Sequence, residues 1–160
     1  STITERFSKI GSEVALAPIG AKDLVEEILD YLRVRISSEV NIEVKSDGNP
    51  IVHVNVSLFS WVIENLVKNS VDAMDAKGRL TVSIHEANGK VYIDVKDSGK
   101  GIPKRKWKTI FEPGYTTKLR GWGLGLSLAK RIVKNYHKGA IYVLSSTAGE
   151  GTVFRISLKK

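Results

Sequence analysis

Two alternating segments joined by an Asn-Gly pair constrain the fold of this 160-residue chain more than any other feature. Apolar and polar residues alternate over Leu80–Glu86 and again over Val91–Val95, with Asn88 and Gly89 between them. A period of two is typical of half-buried strands, and Asn-Gly favours a tight hairpin turn because both residues adopt positive φ at little cost. The sequence therefore predicts an antiparallel strand pair with one face against a core.

The same alternation predicts two further strand pairs. Val40–Lys45 and the apolar positions within 51–54 flank a turn at 47–50, which indicates a second hairpin. Ile141–Leu144 and Thr152–Leu158 flank Gly149-Glu150-Gly151 and indicate a third pair. Six strands are therefore expected, most of them linked by hairpins.

Apolar residues at intervals of three and four predict helices between these strands. The predicted helices are Asp23–Arg35, a long helix from the N-cap Ser57 to about Ala76, and Leu124–His137. Ser1–Ile10 is interpreted as the last turns of an earlier helix, with a frayed tail as the alternative. This order indicates an α+β fold, a two-layer α/β sandwich in which helices cover one face of a mixed, mostly antiparallel sheet.

Composition narrows the functional classes. Without cysteine, the chain has no disulfide scaffold, thiolate zinc site or cysteine nucleophile. No apolar run approaches the roughly 18 residues of a membrane-spanning helix, and no secretory signal is visible, so we expect a cytoplasmic domain. Seven basic residues and one acid between Lys100 and Arg120 carry most of the net charge of +8. Such a run is often a solvated loop, but its position between two glycine clusters suggests a small, highly charged anion as ligand.

The long helix carries a polar stripe. Asn65, Asn69 and Asp72 are spaced four and three apart, so they share one face. Asparagine is a poor helix former, costing about 0.5 kcal/mol relative to alanine, and two on one face suggest a pocket lining, with an exposed polar face as the alternative. Carboxamide oxygens suit Mg²⁺, which takes few protein ligands beside waters and substrate phosphates.

Two glycine clusters follow the long helix. Asp97-Ser98-Gly99-Lys100-Gly101-Ile102 comes after a predicted strand, where a carboxylate can accept a hydrogen bond from an exocyclic amine and the glycines admit a flat ring; an ordinary turn is the alternative. Gly121-Trp122-Gly123-Leu124-Gly125-Leu126 runs into a helix and leaves backbone amides bare for phosphate oxygens. The segment between them, Phe111–Arg120, is interpreted as a mobile lid.

Five motifs in this order resemble the ATP-binding catalytic domain of sensor histidine kinases, in the GHKL superfamily. They are the asparagine helix, Asp-x-Gly-x-Gly, Phe-x-Pro, Gly-x-Gly-Leu-Gly-Leu and a closing Gly-Glu-Gly-Thr, and they extend from about Lys22 to Leu158. The resemblance implies a Bergerat ATP-binding fold that binds ATP and Mg²⁺. It also implies donation of the γ-phosphoryl group to a histidine on a separate dimerisation and phosphoacceptor domain, within a two-component sensor kinase that acts on a response regulator receiver domain.

The resemblance assigns roles to individual residues. Asn65 and Asn69 match the asparagine box that contacts Mg²⁺ and the phosphates, and Asp97 matches the aspartate that binds the adenine amino group. The remaining residues expected to bind ATP are Lys68, Asp72, Gly99, Gly101, Ile102, Tyr115, Thr116, Thr117, Lys118, Gly121, Gly123, Leu124, Gly125, Leu126 and Thr152.

The resemblance also divides the chain. Residues 1–20 resemble the end of a dimerisation-domain helix with a linker, and residues 21–160 resemble the catalytic domain. His53 and His85 fall in predicted strands and His137 at a helix end, so each is expected to be structural and none to accept phosphate. The sequence therefore predicts ATP binding without autophosphorylation, and membrane contact only through regions that are absent here.

Two positions depart from the family pattern. Many histidine kinases have a cation where this chain has Asp72, so Lys68, Lys118 or Arg120 would neutralise phosphate charge. Position 65 is Asn where hydrolases of the superfamily keep a water-activating glutamate, and Glu64 points about 100° away around the helix. Asn65 therefore disfavours a GHKL ATPase. A serine kinase of the anti-sigma type and a catalytically silent nucleotide-sensing module stay as alternatives to the histidine kinase.

Nucleic acid is not expected as a partner despite the positive charge. A single-strand binding surface interleaves stacking aromatics with cations. Trp61, Trp107 and Trp122 are not interleaved with the basic run in this way.

Overall fold

The computed structural model describes residues 14–115 and 125–160. In chain order their helices and strands are β1 (Ala17–Gly20), α1 (Ala21–Arg33), β2 (Val40–Ser46), β3 (Ile51–Val54), α2 (Val56–Ala73), β4 (Gly78–Ala87), β5 (Lys90–Asp97), α3 (Gly125–Arg131), β6 (Ala140–Thr147) and β7 (Gly151–Lys159). Two 3₁₀ turns, Lys104–Lys106 and Thr109–Phe111, follow β5, and a π-helical turn, Ile132–Tyr136, continues α3. The described ranges hold seven strands, one more than the sequence predicts, because β1 was not foreseen.

The main sheet has five strands in the order β2-β4-β5-β7-β6, while β1 and β3 form a separate antiparallel pair. β2 runs parallel to β4, and the other neighbours are antiparallel. The β4–β5 hairpin is confirmed, and its turn residues Asn88 and Gly89 have φ of 55° and 74° as an Asn-Gly hairpin requires. The β6–β7 pair is confirmed as well.

The predicted hairpin between residues 40–45 and 51–54 is wrong, since β2 and β3 pair with different strands. The turn between β2 and β3 is instead hydrogen-bonded to the start of α1. Asn49 Oδ1 accepts hydrogen bonds from the backbone N–H groups of Lys22 (2.9 Å) and Asp23 (3.2 Å) and so caps the start of α1. Gly20, at the N-cap position of α1, has no side chain that could do this.

The long helix α2 is confirmed with shifted ends. Its N-cap is Asn55 rather than Ser57, because Asn55 Oδ1 accepts the Leu58 N–H at 3.0 Å. The helix ends at Ala73 rather than about Ala76, since the following Asp75 and Ala76 adopt left-handed φ of 53° and 59°.

One face of the main sheet packs against the helices. Alternate side chains of β4, β5, β6 and β7 are buried together with the inner faces of α1, α2 and α3 in a single apolar cluster. The predicted two-layer sandwich, with helices on one face of a mixed sheet, is therefore confirmed. No helix within the described ranges is both long and apolar enough to cross a membrane.

Candidate functional site

The first contact of the site joins the middle of α2 to the start of α3. Asn65 is half-buried, and a Cβ added to Gly125 would lie 2.9 Å from Asn65 Nδ2 and 3.0 Å from its Oδ1. Glycine at 125 therefore lets the backbone approach this amide closely. Asn65 Nδ2 is buried and makes no hydrogen bond to a described residue, so its hydrogen-bonding capacity is available to a ligand.

The second feature is a buried carboxylate at the end of β5. Asp97 is 2% exposed, and its Oδ1 accepts the N–H groups of Gly99 (2.9 Å) and Thr152 (3.3 Å). Burial raises the pKa of Asp97, while the Gly99 N–H, the nearby Ser70 hydroxyl and the Thr152 N–H lower it in part. Neither backbone donor uses Oδ2, so this oxygen can accept a bond from a ligand.

The loop after β5 packs on the C-terminal end of α2. A Cβ on Gly99 would lie 2.5 Å from Ala73 O, and Lys100 N–H donates to the same carbonyl at 3.1 Å. Ser70, 1% exposed, forms no hydrogen bond of standard geometry to a described residue, yet its hydroxyl acts on Asp97 and lowers the pKa of that carboxyl. The carboxylate is thus held between β5 and α2.

A single helix therefore joins both parts of the site. α2 contacts Gly125 through Asn65 and the loop after β5 through Ala73. These two positions are eight residues apart, which corresponds to about 12 Å along the helix axis. The first glycine cluster and the described end of the second cluster therefore both contact α2, as a shared cleft requires.

A network of hydroxyl groups supports the backbone that follows Asp97. Ser146 Oγ accepts the Ile102 N–H at 2.7 Å and lies 2.8 Å from Thr152 Oγ1. Gly101 has φ of +85° and packs on Thr147, where a Cβ would lie 2.7 Å from the carbonyl oxygen. These contacts fix the backbone of the Asp97–Ile102 segment against β6 and β7.

The other residues of the predicted site differ in exposure, and some lie beyond the described ranges. Lys68 and Asp72 are exposed and line a cleft of about 410 Å³ between α1 and α2, together with Glu64. Asn69, Tyr115 and Leu126 are half-buried, the last two against the apolar cluster. Six predicted residues lie outside the described ranges: Thr116, Thr117, Lys118, Gly121, Gly123 and Leu124.

Two serines of the site were not predicted from the sequence. Ser70 follows Asn69 and falls on the inner face of α2 beside Leu66 and Val67, so a small polar residue among apolar ones was the available signal. Ser146 carries no such signal, because its role depends on the pairing of β6 with β7.

The chain belongs to the family described as histidine kinase-, DNA gyrase B-, and HSP90-like ATPases, whose model matches residues 54–160. It is therefore an ATP-binding domain. The resemblance to histidine kinase catalytic domains is confirmed by its relatives and by solved structures.

Two curated relatives illustrate the similarity. Sporulation kinase C of Bacillus subtilis (strain 168) is 33% identical over 134 residues, covering 84% of this chain and 31% of the relative. The C4-dicarboxylate transport sensor protein DctB of Rhizobium meliloti (strain 1021) is 33% identical over 160 residues, covering 97% of this chain and 25% of the relative. The chain thus spans only a quarter to a third of the length of these proteins.

A solved structure agrees with the fold. The nucleotide-free catalytic domain of histidine kinase ThkA matches with a TM-score of 0.81 at 26% identity, over 91% of this chain and 95% of that domain.

Proposed function

We propose that this domain binds MgATP and donates the γ-phosphoryl group to a histidine on a separate dimerisation and phosphoacceptor domain, as part of a two-component sensor kinase. The contact between Asn65 and Gly125 carries the proposal, because it sets a buried amide with unused hydrogen-bonding capacity beside the start of a helix. An amide can contact a metal–phosphate group but cannot take a proton from water. A site built on Asn65 therefore keeps ATP intact for transfer.

The nucleotide would lie along α2. Its adenine amino group would donate to Asp97, with Gly99, Gly101 and Ile102 beside the ring and Thr152 below the carboxylate. The phosphates would lie at the start of α3, where backbone N–H groups of a helix terminus favour anions. Gly125 and Leu126 would contribute there, joined by the part of the glycine cluster outside the described ranges.

The amides of the site fit a magnesium ion. Asn65 and Asn69 would hold Mg²⁺ through carboxamide oxygens, which are hard ligands of the kind this ion takes alongside waters and phosphates. Within the described residues no group of three or more His, Cys, Asp or Glu side chains could hold a metal. Bound Mg²⁺ neutralises charge on the transferring phosphoryl group.

The histidine that accepts the phosphoryl group would belong to another domain. His137 is 6% exposed and occupied by hydrogen bonds, while His53 and His85 lie on the strands β3 and β4. The domain would thus supply binding and orientation, which are the main protein contributions to phosphoryl transfer.

A response regulator is the proposed downstream partner. In one solved structure, histidine kinase ThkA is in complex with the response regulator protein TrrA. We place this domain in the cytoplasm, where its phosphoacceptor domain and receiver would be accessible to it.

MgATP titration tests the nucleotide site. Asp97→Asn should weaken binding by about tenfold or more, since a hydrogen bond to a charged group is worth about 1.5–3 kcal/mol. Asp47→Asn, an exposed change of the same chemistry in the β2–β3 turn, should leave the affinity unchanged. Equal affinity in wild type and Asp97→Asn would refute the assignment of adenine to Asp97.

Two activity measurements separate transfer from hydrolysis. With the separately produced phosphoacceptor domain and labelled ATP, the wild type should label a histidine in trans. Without that domain, phosphate release should be near background and should rise in Asn65→Glu, which restores a base. Rapid hydrolysis by the wild type alone would favour the ATPase alternative, and labelling of serine would favour the anti-sigma kinase alternative.

A further inference from the structure

Asn55 joins three segments of the chain at the start of α2. Its Oδ1 accepts the Leu58 N–H at 3.0 Å, and its Nδ2 donates to Ala15 O at 3.1 Å. Its backbone N–H donates to His137 Nε2 at 3.1 Å. Asn55 therefore links α2 both to the chain before β1 and to the end of the helical segment that α3 begins.

Both ring nitrogens of His137 are used. Nδ1 lies 3.0 Å from Ile132 O, and Nε2 receives the Asn55 N–H. A carbonyl only accepts and a backbone amide only donates, so Nδ1 carries the proton and Nε2 the lone pair. The neutral Nδ1–H tautomer alone satisfies both partners. Burial lowers the pKa of His137, which favours this neutral ring.

The imidazole connects two structural elements. Through Nδ1 it is bonded to the first residue of the π-helical turn Ile132–Tyr136, a rare element that recurs at functional sites. Its ring also meets Phe59 of α2 edge-on, with centroids 5.5 Å apart. The first turn of α2 contains no acidic residue, so no carboxylate from this turn can form an ion pair with the His137 ring.

α2 and the segment that begins with α3 pack together in the apolar cluster, and in addition they contact each other at two specific places. Gly125 packs on Asn65 at one, and His137 bonds to Asn55 at the other. Asn55 and Asn65 are ten residues apart, or about 15 Å along the helix. Two helices that touch at a single point can pivot about it, whereas two contacts this far apart fix their relative orientation.

We propose that His137 is a positioning residue for phosphoryl transfer: its two hydrogen bonds hold α2 and α3 in one orientation and so keep Asn65 and Gly125 at the spacing that phosphate binding requires. The proposal rests on the proposed function, since it takes Asn65 and Gly125 as the phosphate end of the site.

Three variants separate positioning from general packing. His137→Phe keeps a ring beside Phe59 but removes both polar atoms. His137→Gln restores an acceptor within reach of the Asn55 N–H. Ile84→Val, at a buried position of β4, is the control for loss of stability alone.

MgATP titration gives the first readout. His137→Phe should bind about fivefold more weakly than wild type, the equivalent of one hydrogen bond. His137→Gln should recover to within about twofold, and Ile84→Val should match wild type. Equal affinities for His137→Phe and Ile84→Val would overturn the proposal.

NMR of the nucleotide-free chain gives a second readout that does not depend on ATP. ¹⁵N–¹H spectra of the wild type should show a protonated Nδ1 and a bare Nε2 at His137. The Asn65 side-chain amide resonances should shift in His137→Phe and stay at their wild-type position in His137→Gln. A protonated Nε2, or an unmoved Asn65 resonance in His137→Phe, would overturn the proposal.

The two readouts also separate the proposals from each other. If the wild type binds no MgATP, the proposed function fails while the spectra still decide whether His137 orients α2. If His137→Phe does not fold, the proposal is tested by the tautomer of His137 in the wild type and by His137→Gln. A shifted Asn65 resonance together with weakened MgATP binding in His137→Gln would count against position 137 as the acceptor of the Asn55 N–H.

Discussion

Thr152 donates its backbone N–H to Oδ1 of Asp97 at 3.3 Å, which joins two residues that lie 55 positions apart in the chain. The carboxyl group is 2% exposed and receives a second N–H from Gly99. Burial raises the pKa of Asp97 in spite of these bonds. The raised pKa makes folding stability depend on the protonation of this one side chain.

Protonation of Asp97 should stabilise the fold. The folded-state pKa lies above the ordinary value of 3.8, so the folded protein takes up the proton before the unfolded chain does as the pH falls. The free energy of unfolding of the wild type should therefore rise relative to Asp97→Asn, which does not titrate, as the pH falls from neutrality toward 3.8. Urea denaturation of both proteins across this range measures the difference, and a constant difference would contradict the expectation.

Protonation of His137 at low pH should destabilise the fold, in contrast to protonation of Asp97. Burial lowers the pKa of His137 below its ordinary value of 6.5, so the unfolded chain protonates first. The stabilising contribution is complete above pH 6.5 and is lost as the pH falls from there through the lowered pKa. The difference in unfolding free energy between wild type and His137→Phe should therefore shrink below pH 6.5 in urea denaturation. A difference that grows there would show that folding raises the pKa of His137 instead of lowering it.

Gly125→Ala should weaken nucleotide binding with little effect on folding. The added Cβ meets the end of the Asn65 side chain at 2.9 Å, and this amide can rotate away. Alanine is also a better helix former than glycine. We expect at least about a tenfold loss of MgATP affinity, because Asn65 leaves its position, with a thermal midpoint near that of wild type. Unchanged affinity would remove Asn65 from the phosphate site.

Gly99→Ala provides the contrasting case. Its Cβ would lie 2.5 Å from Ala73 O, a backbone atom that cannot rotate away. The substitution should therefore destabilise the fold by about 1–3 kcal/mol through overpacking. Thermal or urea unfolding of the two alanine variants side by side gives the comparison, and equal stabilities would show that the loop after β5 yields more easily than the structure indicates.

Arg155→Lys should lower stability without changing nucleotide affinity. Arg155 donates two hydrogen bonds to Asp94, of 2.7 and 2.8 Å, and its guanidinium lies 4.5 Å from the Tyr92 ring centroid. The two side chains are 19% and 13% exposed, and lysine cannot form the fork. We expect a loss of about 1–3 kcal/mol in urea denaturation. Since these side chains lie on the sheet face away from the helices, weakened MgATP binding would contradict their placement.

The local part of the fold could be predicted from the sequence. Asn88 and Gly89 specify their own turn, so the β4–β5 pair follows from neighbouring residues alone. The parallel pairing of β2 with β4 could not be predicted in this way. It depends on α2 as the connection between distant strands and on Asn49 bonding to α1, and neither is visible in the alternation of residues 40–54.

Parts of the candidate site could be predicted where the residue type itself shows a structural requirement. Gly99 and Gly125 are glycines because other groups approach them closely, and Asn65 stands out as an amide in an apolar helix. Ser146 escaped prediction because a serine on a strand is ordinary, and its bonds to Ile102 and Thr152 exist only once β6 and β7 have paired.

The cap on α1 has a consequence for synthesis on the ribosome. The acceptor for the Lys22 N–H is Asn49, which is made 27 residues later. When α1 has emerged from the ribosome but the β2–β3 turn has not, the first turn of α1 is therefore frayed. Translation must proceed past Asn49 before α1 reaches its final form.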